Sequence, residues 1–114
     1  MRLPKISSGQ MRQLMEEAQR MLEEAQQFEE EMEQLQVEAT AGGGVVKATV
    51  NGKGMLISLQ IAPEAIDPDD PEMLQDLVVS AVREAQNRAE AVRTERLQQL
   101  TGGLGEFGIP GLPF

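Results

Sequence analysis

The sequence contains no cysteine, histidine, tryptophan or tyrosine, and only three phenylalanines occur among its 114 residues. The absence of cysteine excludes disulfides, a thiol nucleophile and thiolate metal sites. The absence of histidine removes the commonest general base and a usual zinc ligand. Lysine is rare, and no serine lies in a nucleophile motif. We therefore expect no enzymatic activity, no metal and no cofactor.

Long apolar runs and positive charge are also scarce. No segment approaches the roughly 18–20 apolar residues of a membrane-spanning helix, and the N-terminus lacks the apolar core of a signal peptide. We therefore expect a cytoplasmic chain with no membrane partner and no small-molecule substrate. Ten Lys and Arg stand against 19 Asp and Glu, which gives a formal net charge of -9. Averaged over the chain, this charge disfavours nucleic acid as a partner.

Apolar residues recur at alternating spacings of three and four from Ser8 to about Val37, which predicts one long helix. Ser7 or Ser8 is suited to cap its start. A helix of this length extends about 45 Å, so its apolar stripe needs a second helix or a partner chain. Residues 16–38 hold nine Glu and one Arg, which we interpret as a solvated acidic face. The stripe comprises Met11, Leu14, Ala18, Met21, Ala25, Phe28, Met32 and Leu35.

The middle of the chain predicts two or three antiparallel strands. Residues 37–41 and 45–50 are rich in strand-forming side chains and are separated by three glycines. Asn51-Gly52 favours a tight hairpin turn with positive φ at both residues. Residues 55–61 then alternate between apolar and polar positions, as in a half-buried strand. The three glycines lack the spacing of a phosphate-binding loop, so we interpret them as a turn.

A second long helix is predicted over residues 73–100. Asp70 is its expected N-cap and Pro71 its first residue, where a missing amide hydrogen has little cost. The neighbouring acidic residues do not follow the EF-hand pattern, so we interpret them as capping groups. A Thr-Gly-Gly sequence is expected to end the helix, leaving one domain over 1–101 and a flexible Gly/Pro-rich tail over 102–114. The apolar face comprises Leu74, Leu77, Val78, Ala81, Val82, Ala85, Ala89 and Val92.

Two runs, AGGGVVKATVNGKG at 41–54 and IDPDDPEMLQDLVVSAVREAQNRAE at 66–90, together with TGG and PGLPF near the end, extend over much of the chain. In this order they resemble the YbaB/EbfC nucleoid-associated proteins. The resemblance implies an α+β fold: a long helix, a three-stranded antiparallel sheet centred on a hairpin, and a second long helix. It also implies a tweezer-like homodimer. The expected role is that of a bacterial nucleoid protein that binds double-stranded DNA with low sequence specificity and alters its conformation, with an influence on gene expression.

The resemblance and the charge distribution together suggest where DNA is bound. The first helix of the family commonly mixes Lys with Met and Gln, whereas here it is acidic, so we expect contacts at the helix ends. With so few aromatic residues, contact is expected mainly with phosphates and to depend steeply on salt. The residues assigned to DNA are Arg2, Lys5, Arg12, Arg88, Arg93 and Arg96. Those assigned to the dimer contact are Val46, Val50, Ile57, Leu59, Leu74 and Val78.

Two alternatives remain open from the sequence. One is a prefoldin-like coiled-coil chaperone, because a Met-rich stripe and an apolar tail suit varied clients. The other is a protein-interaction module whose acidic face binds a basic protein.

Overall fold

A computed structural model describes residues 7–106, and the side chains of residues 7–101. The chain contains two long helices and a three-stranded antiparallel sheet, which confirms the predicted α+β class. The predicted DNA contacts Arg2 and Lys5, and residues 107–114 of the predicted tail, lie outside the described residues. The elements are α1 (Ser8–Gln34), β1 (Gln36–Ala41), β2 (Val46–Asn51), β3 (Leu56–Ile61) and α2 (Pro71–Glu106), with 3-10 turns at Gly42–Gly44 and Pro63–Ala65.

The chain divides into two compact units, Met1–Glu31 and Met32–Phe114. The first contains most of α1, and the second contains its last residues, the sheet and α2. The predicted end of α2 at its Thr-Gly-Gly sequence is wrong, since the helix continues to Glu106. Glycine lowers helix propensity by about 1 kcal/mol relative to alanine but does not forbid helix.

The ends of α1 are set by local hydrogen bonds and by strand pairing. The Ser7 hydroxyl accepts a hydrogen bond from the Gln10 amide at 3.2 Å, and the Gln10 side chain accepts one from the Ser7 amide at 3.0 Å. This reciprocal capping box confirms the predicted cap. The helix ends at Gln34 rather than near Val37, because Val37 pairs with Val50 in the sheet.

The sheet has the order β1-β2-β3. The loop between β2 and β3 differs from the predicted two-residue turn at Asn51-Gly52. The Asn51 side chain accepts hydrogen bonds from the amides of Lys53 at 2.9 Å and Met55 at 3.0 Å. Positive φ occurs at Gly54, and neither Asn51 nor Gly52 adopts it. The Asn-Gly pair therefore marks the correct place, but a longer loop organised by the Asn51 carboxamide replaces the two-residue turn.

The core lies between α2 and the first two strands. Ala81, Ala85 and Ala89 recur every four residues on one face of α2 and are fully buried. Their small side chains let the helix backbone approach the sheet, where Val46 and Val50 are also fully buried. This confirms the predicted apolar face of the second helix. α2 packs on β1 and β2, and the side chains of β3 remain mostly exposed.

The start of α2 also follows the prediction. Asp70 Oδ1 accepts a hydrogen bond from the Met73 amide at 3.3 Å, and Pro71 is the first helical residue. Within residues 7–106, no cluster of carboxylates has the arrangement of a metal site. No helix in this part of the chain is long and apolar enough to span a membrane.

Candidate nucleic-acid interface

α2 carries four arginines, Arg83, Arg88, Arg93 and Arg96, whose environments differ. Arg83 lies two residues from both Ala81 and Ala85, so helical geometry places it opposite the buried face. Arg88 and Arg93 lie on the two flanks of that face. These positions determine which guanidinium groups contact the sheet and which point into solvent.

Arg88 connects α2 to the first strand. Its Nε donates a hydrogen bond to Glu84 Oε1 at 3.0 Å, an ion pair one helical turn apart. Its Nη1 donates to the backbone carbonyl of Glu38 at 3.1 Å. The guanidinium therefore contacts both a neighbouring turn of α2 and the backbone of edge strand β1.

Arg93 connects the other flank of α2 to the loop between β2 and β3. Its Nη1 donates a hydrogen bond to the Gly52 carbonyl at 2.7 Å, and the residue is half-buried. About two helical turns towards the N-terminus, Gln86 Nε2 donates a hydrogen bond to the Gly54 carbonyl at 3.0 Å. The two side chains hold the loop against α2. Arg93, predicted as a DNA contact, therefore has a structural role in the free protein.

Gly52 also contacts the last turn of α1. Its amide donates a hydrogen bond to the Met32 carbonyl at 2.7 Å. A Cβ at position 52 would lie 2.8 Å from that oxygen and 2.9 Å from the Met32 Cα, closer than packing allows. Glycine at this position thus permits the close approach. Met32 itself is buried.

Arg83 is a cation that the sequence analysis did not assign to DNA. It is exposed, and within residues 7–106 no hydrogen bond or ion pair engages it. By contrast, Lys47 pairs with Glu38 at 3.2 Å. The spacing of Arg83 from the alanine stripe is the signal that identifies it, because a residue two positions from two buried alanines must point outward.

The other predicted DNA contacts are dispersed. Arg96 lies on α2 in the second unit and is exposed, whereas Arg12 is exposed on α1 in the first unit. The described residues therefore place Arg88, Arg93 and Arg96 on one helix, where Arg88 and Arg93 bind the protein's own backbone carbonyls.

The residues predicted to form the dimer contact separate into three groups. Val46 and Val50 are 0% exposed, and their side chains pack in the core beneath α2 of the same chain. Leu74 and Val78 are half-buried against the same core. Ile57 and Leu59 on β3 are 48% and 36% exposed and are accessible. The sequence pattern identified apolar strand faces, but it did not distinguish the strands that α2 covers from the one it leaves open.

The two edges of the sheet are unlike. At the β1 edge, the guanidinium of Arg88 binds a strand carbonyl, and Glu38 pairs with Lys47. At the β3 edge, Leu56 and Leu59 lie opposite Val50 and Ala48 across the strand pair, yet they remain exposed. An exposed apolar edge strand is a template for pairing with another chain.

The fold defines an α+β chain whose sequence runs from a long helix through a three-stranded antiparallel sheet to a second long helix. Residues 8–104 match the YbaB/EbfC DNA-binding family, and the chain belongs to that family. This confirms the resemblance seen in the sequence.

Similar proteins are found in several bacteria. A nucleoid-associated protein of Clostridium perfringens is 53% identical over 104 residues, covering 91% of this chain and 90% of the relative. One of Streptomyces avermitilis is 47% identical over 112 residues, covering 98% of this chain and 99% of the relative. The crystal structure of an uncharacterized Helicobacter pylori protein superposes with a TM-score of 0.66 at 26% identity, covering 84% of this chain and 98% of that one.

Proposed function

We propose that the protein binds double-stranded DNA as a homodimer at the nucleoid, without enzymatic activity. It contacts mainly phosphates, has low sequence specificity, and alters the conformation of DNA with an influence on gene expression. Membership of the YbaB/EbfC DNA-binding family carries this proposal. The naming of its relatives as nucleoid-associated proteins supports the location.

The side chains available for contact favour phosphates over bases. Arg83 projects from α2 into solvent, and a guanidinium binds phosphate oxygens through a planar set of donors. The chain has no Trp or Tyr, and Phe28 is half-buried. Few aromatic side chains are therefore present to stack on bases. Phosphate contacts carry no sequence information directly, which accounts for low specificity.

The negative net charge limits where DNA is held. Residues 16–38 contain nine Glu, which repel a phosphate backbone, whereas the α2 segment around Arg83 and Arg96 offers cations. Contact is therefore local, on the outer surface of α2 and at the basic N-terminus. Arg88 and Arg93 support this surface indirectly, because they bind the backbone of β1 and of the β2–β3 loop.

The dimer forms through β3 in this proposal. Two copies of the strand pair antiparallel about a two-fold axis, which joins the sheets into one of six strands. Leu56 and Leu59 lie on the face of the sheet that carries α2, and pairing two copies brings both sets together there. Val79 on α2 is 46% exposed and adds apolar surface to the helix.

Mobility shifts with a double-stranded DNA fragment, combined with light scattering, test the proposal. We expect a dimer mass, and binding that weakens when Arg83 is replaced by Ala but is largely kept when it is replaced by Lys. Lys47→Ala is a matched control, because Lys47 is paired with Glu38. A monomer, or DNA binding equal in all variants, would contradict the assignment.

The prefoldin-like alternative stays a prediction and has a separate test. Suppression of the aggregation of a denatured client, without any shift of DNA, would favour a chaperone over a DNA-binding protein.

A further inference from the structure

The sequence Asn51-Gly52 brings together the two groups from which a succinimide forms. In an Asn-Gly pair, the glycine amide nitrogen attacks the carboxamide carbon of the asparagine, and the missing side chain of glycine leaves that approach open. The chain holds one such pair, and its only other asparagine, Asn87, is followed by Arg88, whose side chain hinders the same attack. In an unfolded chain, Asn51 is therefore expected to deamidate well before Asn87.

This reaction exchanges the side-chain amide for a carboxylate. The Gly52 nitrogen loses its proton to a solvent base and bonds to Cγ of Asn51, and the carboxamide nitrogen takes up a proton and leaves as ammonia. Water then hydrolyses one of the two carbonyl bonds of the succinimide ring. The product is an aspartate at position 51, or an isoaspartate whose main chain runs through the side-chain carboxyl carbon. One water is consumed and one ammonia is released.

The folded chain restrains the attacking nitrogen. The Gly52 amide donates a hydrogen bond to the Met32 carbonyl at 2.7 Å, so this bond must break before the nitrogen can lose its proton. Arg93 Nη1 donates to the Gly52 carbonyl, also at 2.7 Å. Gly52 and Met32 are both buried. The glycine is thus held at its amide and at its carbonyl, away from solvent base.

The carboxamide of Asn51 is restrained as well. Its Oδ1 accepts hydrogen bonds from the amides of Lys53 at 2.9 Å and Met55 at 3.0 Å, which direct it along the loop past Gly52. Ring closure needs Cβ of Asn51 and the Gly52 nitrogen to be eclipsed about the Cα–C bond, whereas the extended backbone of β2 holds them apart. Asn51 is only 8% exposed, which limits its access to water.

One feature of the loop acts in the opposite direction. Two amide donors on Oδ1 polarise the carboxamide and would stabilise negative charge on that oxygen during attack. Protection therefore depends on the restrained Gly52 nitrogen and on the strand backbone, and it is lost when the loop opens.

We propose that Asn51-Gly52 is a latent deamidation site, which the fold keeps unreactive while Gly52 stays bonded to the last turn of α1. Opening of the β2–β3 loop frees the nitrogen and the carboxamide together. An isoaspartate adds one atom to the main chain, so the Gly52 amide no longer returns to Met32 and the loop stays displaced. The inference goes beyond the proposed DNA binding and does not depend on it.

Peptide mass spectrometry of the full chain, incubated at mildly alkaline pH in buffer or in urea, tests the proposal. Chromatography separates the aspartyl and isoaspartyl products. We expect Asn51 to deamidate at least about tenfold faster in urea, because the unfolded chain lacks every one of these restraints. Asn87 is the internal control and should react slowly in both conditions.

Matched variants identify the restraint. Arg93→Ala removes the hydrogen bond to the Gly52 carbonyl and is expected to raise the rate at Asn51 in buffer about fivefold, the effect of losing one such bond. Arg83→Ala, on the outward face of α2, should leave the rate unchanged. Hydrogen exchange of the Gly52 amide should rise in step with deamidation, since both report the population of the open loop.

Three results would overturn the inference. The first is an equal rate at Asn51 in buffer and in urea. The second is a faster rate in buffer, which would mean that polarisation of the carboxamide outweighs the restraints. The third is an unchanged rate in Arg93→Ala. The comparison of buffer with urea uses the wild-type chain, so it decides the matter even when a variant folds poorly.

Discussion

α1 and α2 are both long amphipathic helices, but they differ in which of their apolar side chains are buried. α2 buries the small side chains of Ala81, Ala85 and Ala89 against the sheet, whereas α1 exposes large ones such as Met21 and Leu22. Burial is therefore decided by the presence of a matching surface and not by side-chain size. Small residues allow α2 to approach the sheet closely, whereas nearly all the described side chains of α1 in the first unit are exposed.

The largest effect should come from placing a charge on the buried face of α2. Ala85→Asp introduces a carboxylate at a fully buried position and is expected to lower the free energy of unfolding by about 3–5 kcal/mol. Ala18→Asp is the matched control on exposed α1, with a cost of about 0.7 kcal/mol or less from helix propensity. Urea unfolding at fixed protein concentration measures both. Equal losses would refute the contrast between the helices.

Glycine-to-alanine changes should act with opposite signs in the two units. Gly52→Ala places a Cβ 2.8 Å from the Met32 carbonyl oxygen, and we expect a loss of about 1–3 kcal/mol. Gly9→Ala meets nothing within 4 Å on helical α1, so it should leave stability equal or raise it by up to about 1 kcal/mol. Thermal unfolding followed by circular dichroism reports both. A stable Gly52→Ala variant would show that the approach to Met32 is not required.

The two edges of the sheet offer a third contrast. Leu59→Lys on open β3 should weaken the proposed dimer at least about tenfold, equivalent to about 1.4 kcal/mol, because a charge enters an apolar contact. Thr40→Lys on β1 adds the same charge at an exposed position of the other edge strand and should leave the dimer unchanged. Sedimentation over a range of concentrations distinguishes the two. Dissociation of the dimer by Thr40→Lys but not by Leu59→Lys would place the interface at the β1 edge and contradict the proposed contact through β3.

The smallest changes in stability are expected from substitutions of arginines on α2, and they should differ between Arg93 and Arg83. Arg93→Ala removes the 2.7 Å hydrogen bond to the Gly52 carbonyl, and a half-buried charged donor is expected to contribute about 1 kcal/mol. Arg83→Ala removes an exposed side chain and should stay within about 0.5 kcal/mol of wild type. Guanidinium unfolding of both variants tests this ranking. A larger loss from Arg83→Ala would mean that its side chain supports the fold.

The sequence predicted local features well where a single segment determines them. The Ser7 cap, the Asp70 cap and the strand beginning near Val37 all depend on residues close in the chain, and all are confirmed. The alanine spacing of α2 likewise predicted its buried face. Such signals are reliable because hydrogen bonds within a turn and helical periodicity do not require knowledge of the rest of the fold.

Contacts between distant segments were not predicted. The sequence analysis assigned Arg88 and Arg93 to DNA, and in the structure they bind carbonyls 50 and 41 residues away. Val46 and Val50 matched the alternation of Ile57 and Leu59, but only the first pair lies beneath α2. Which strand a helix covers depends on tertiary packing, and alternation within one strand carries no information about it.

DNA affinity across a salt series tests the central claim most directly. If each protomer supplies two phosphate contacts, the logarithm of the association constant should fall linearly with the logarithm of salt concentration, with a slope of about -4. Arg83→Ala should reduce the magnitude of the slope by about 1 for each protomer. A slope near zero, or the same slope in the variant, would contradict the claim that the protein binds DNA through phosphate contacts made by Arg83.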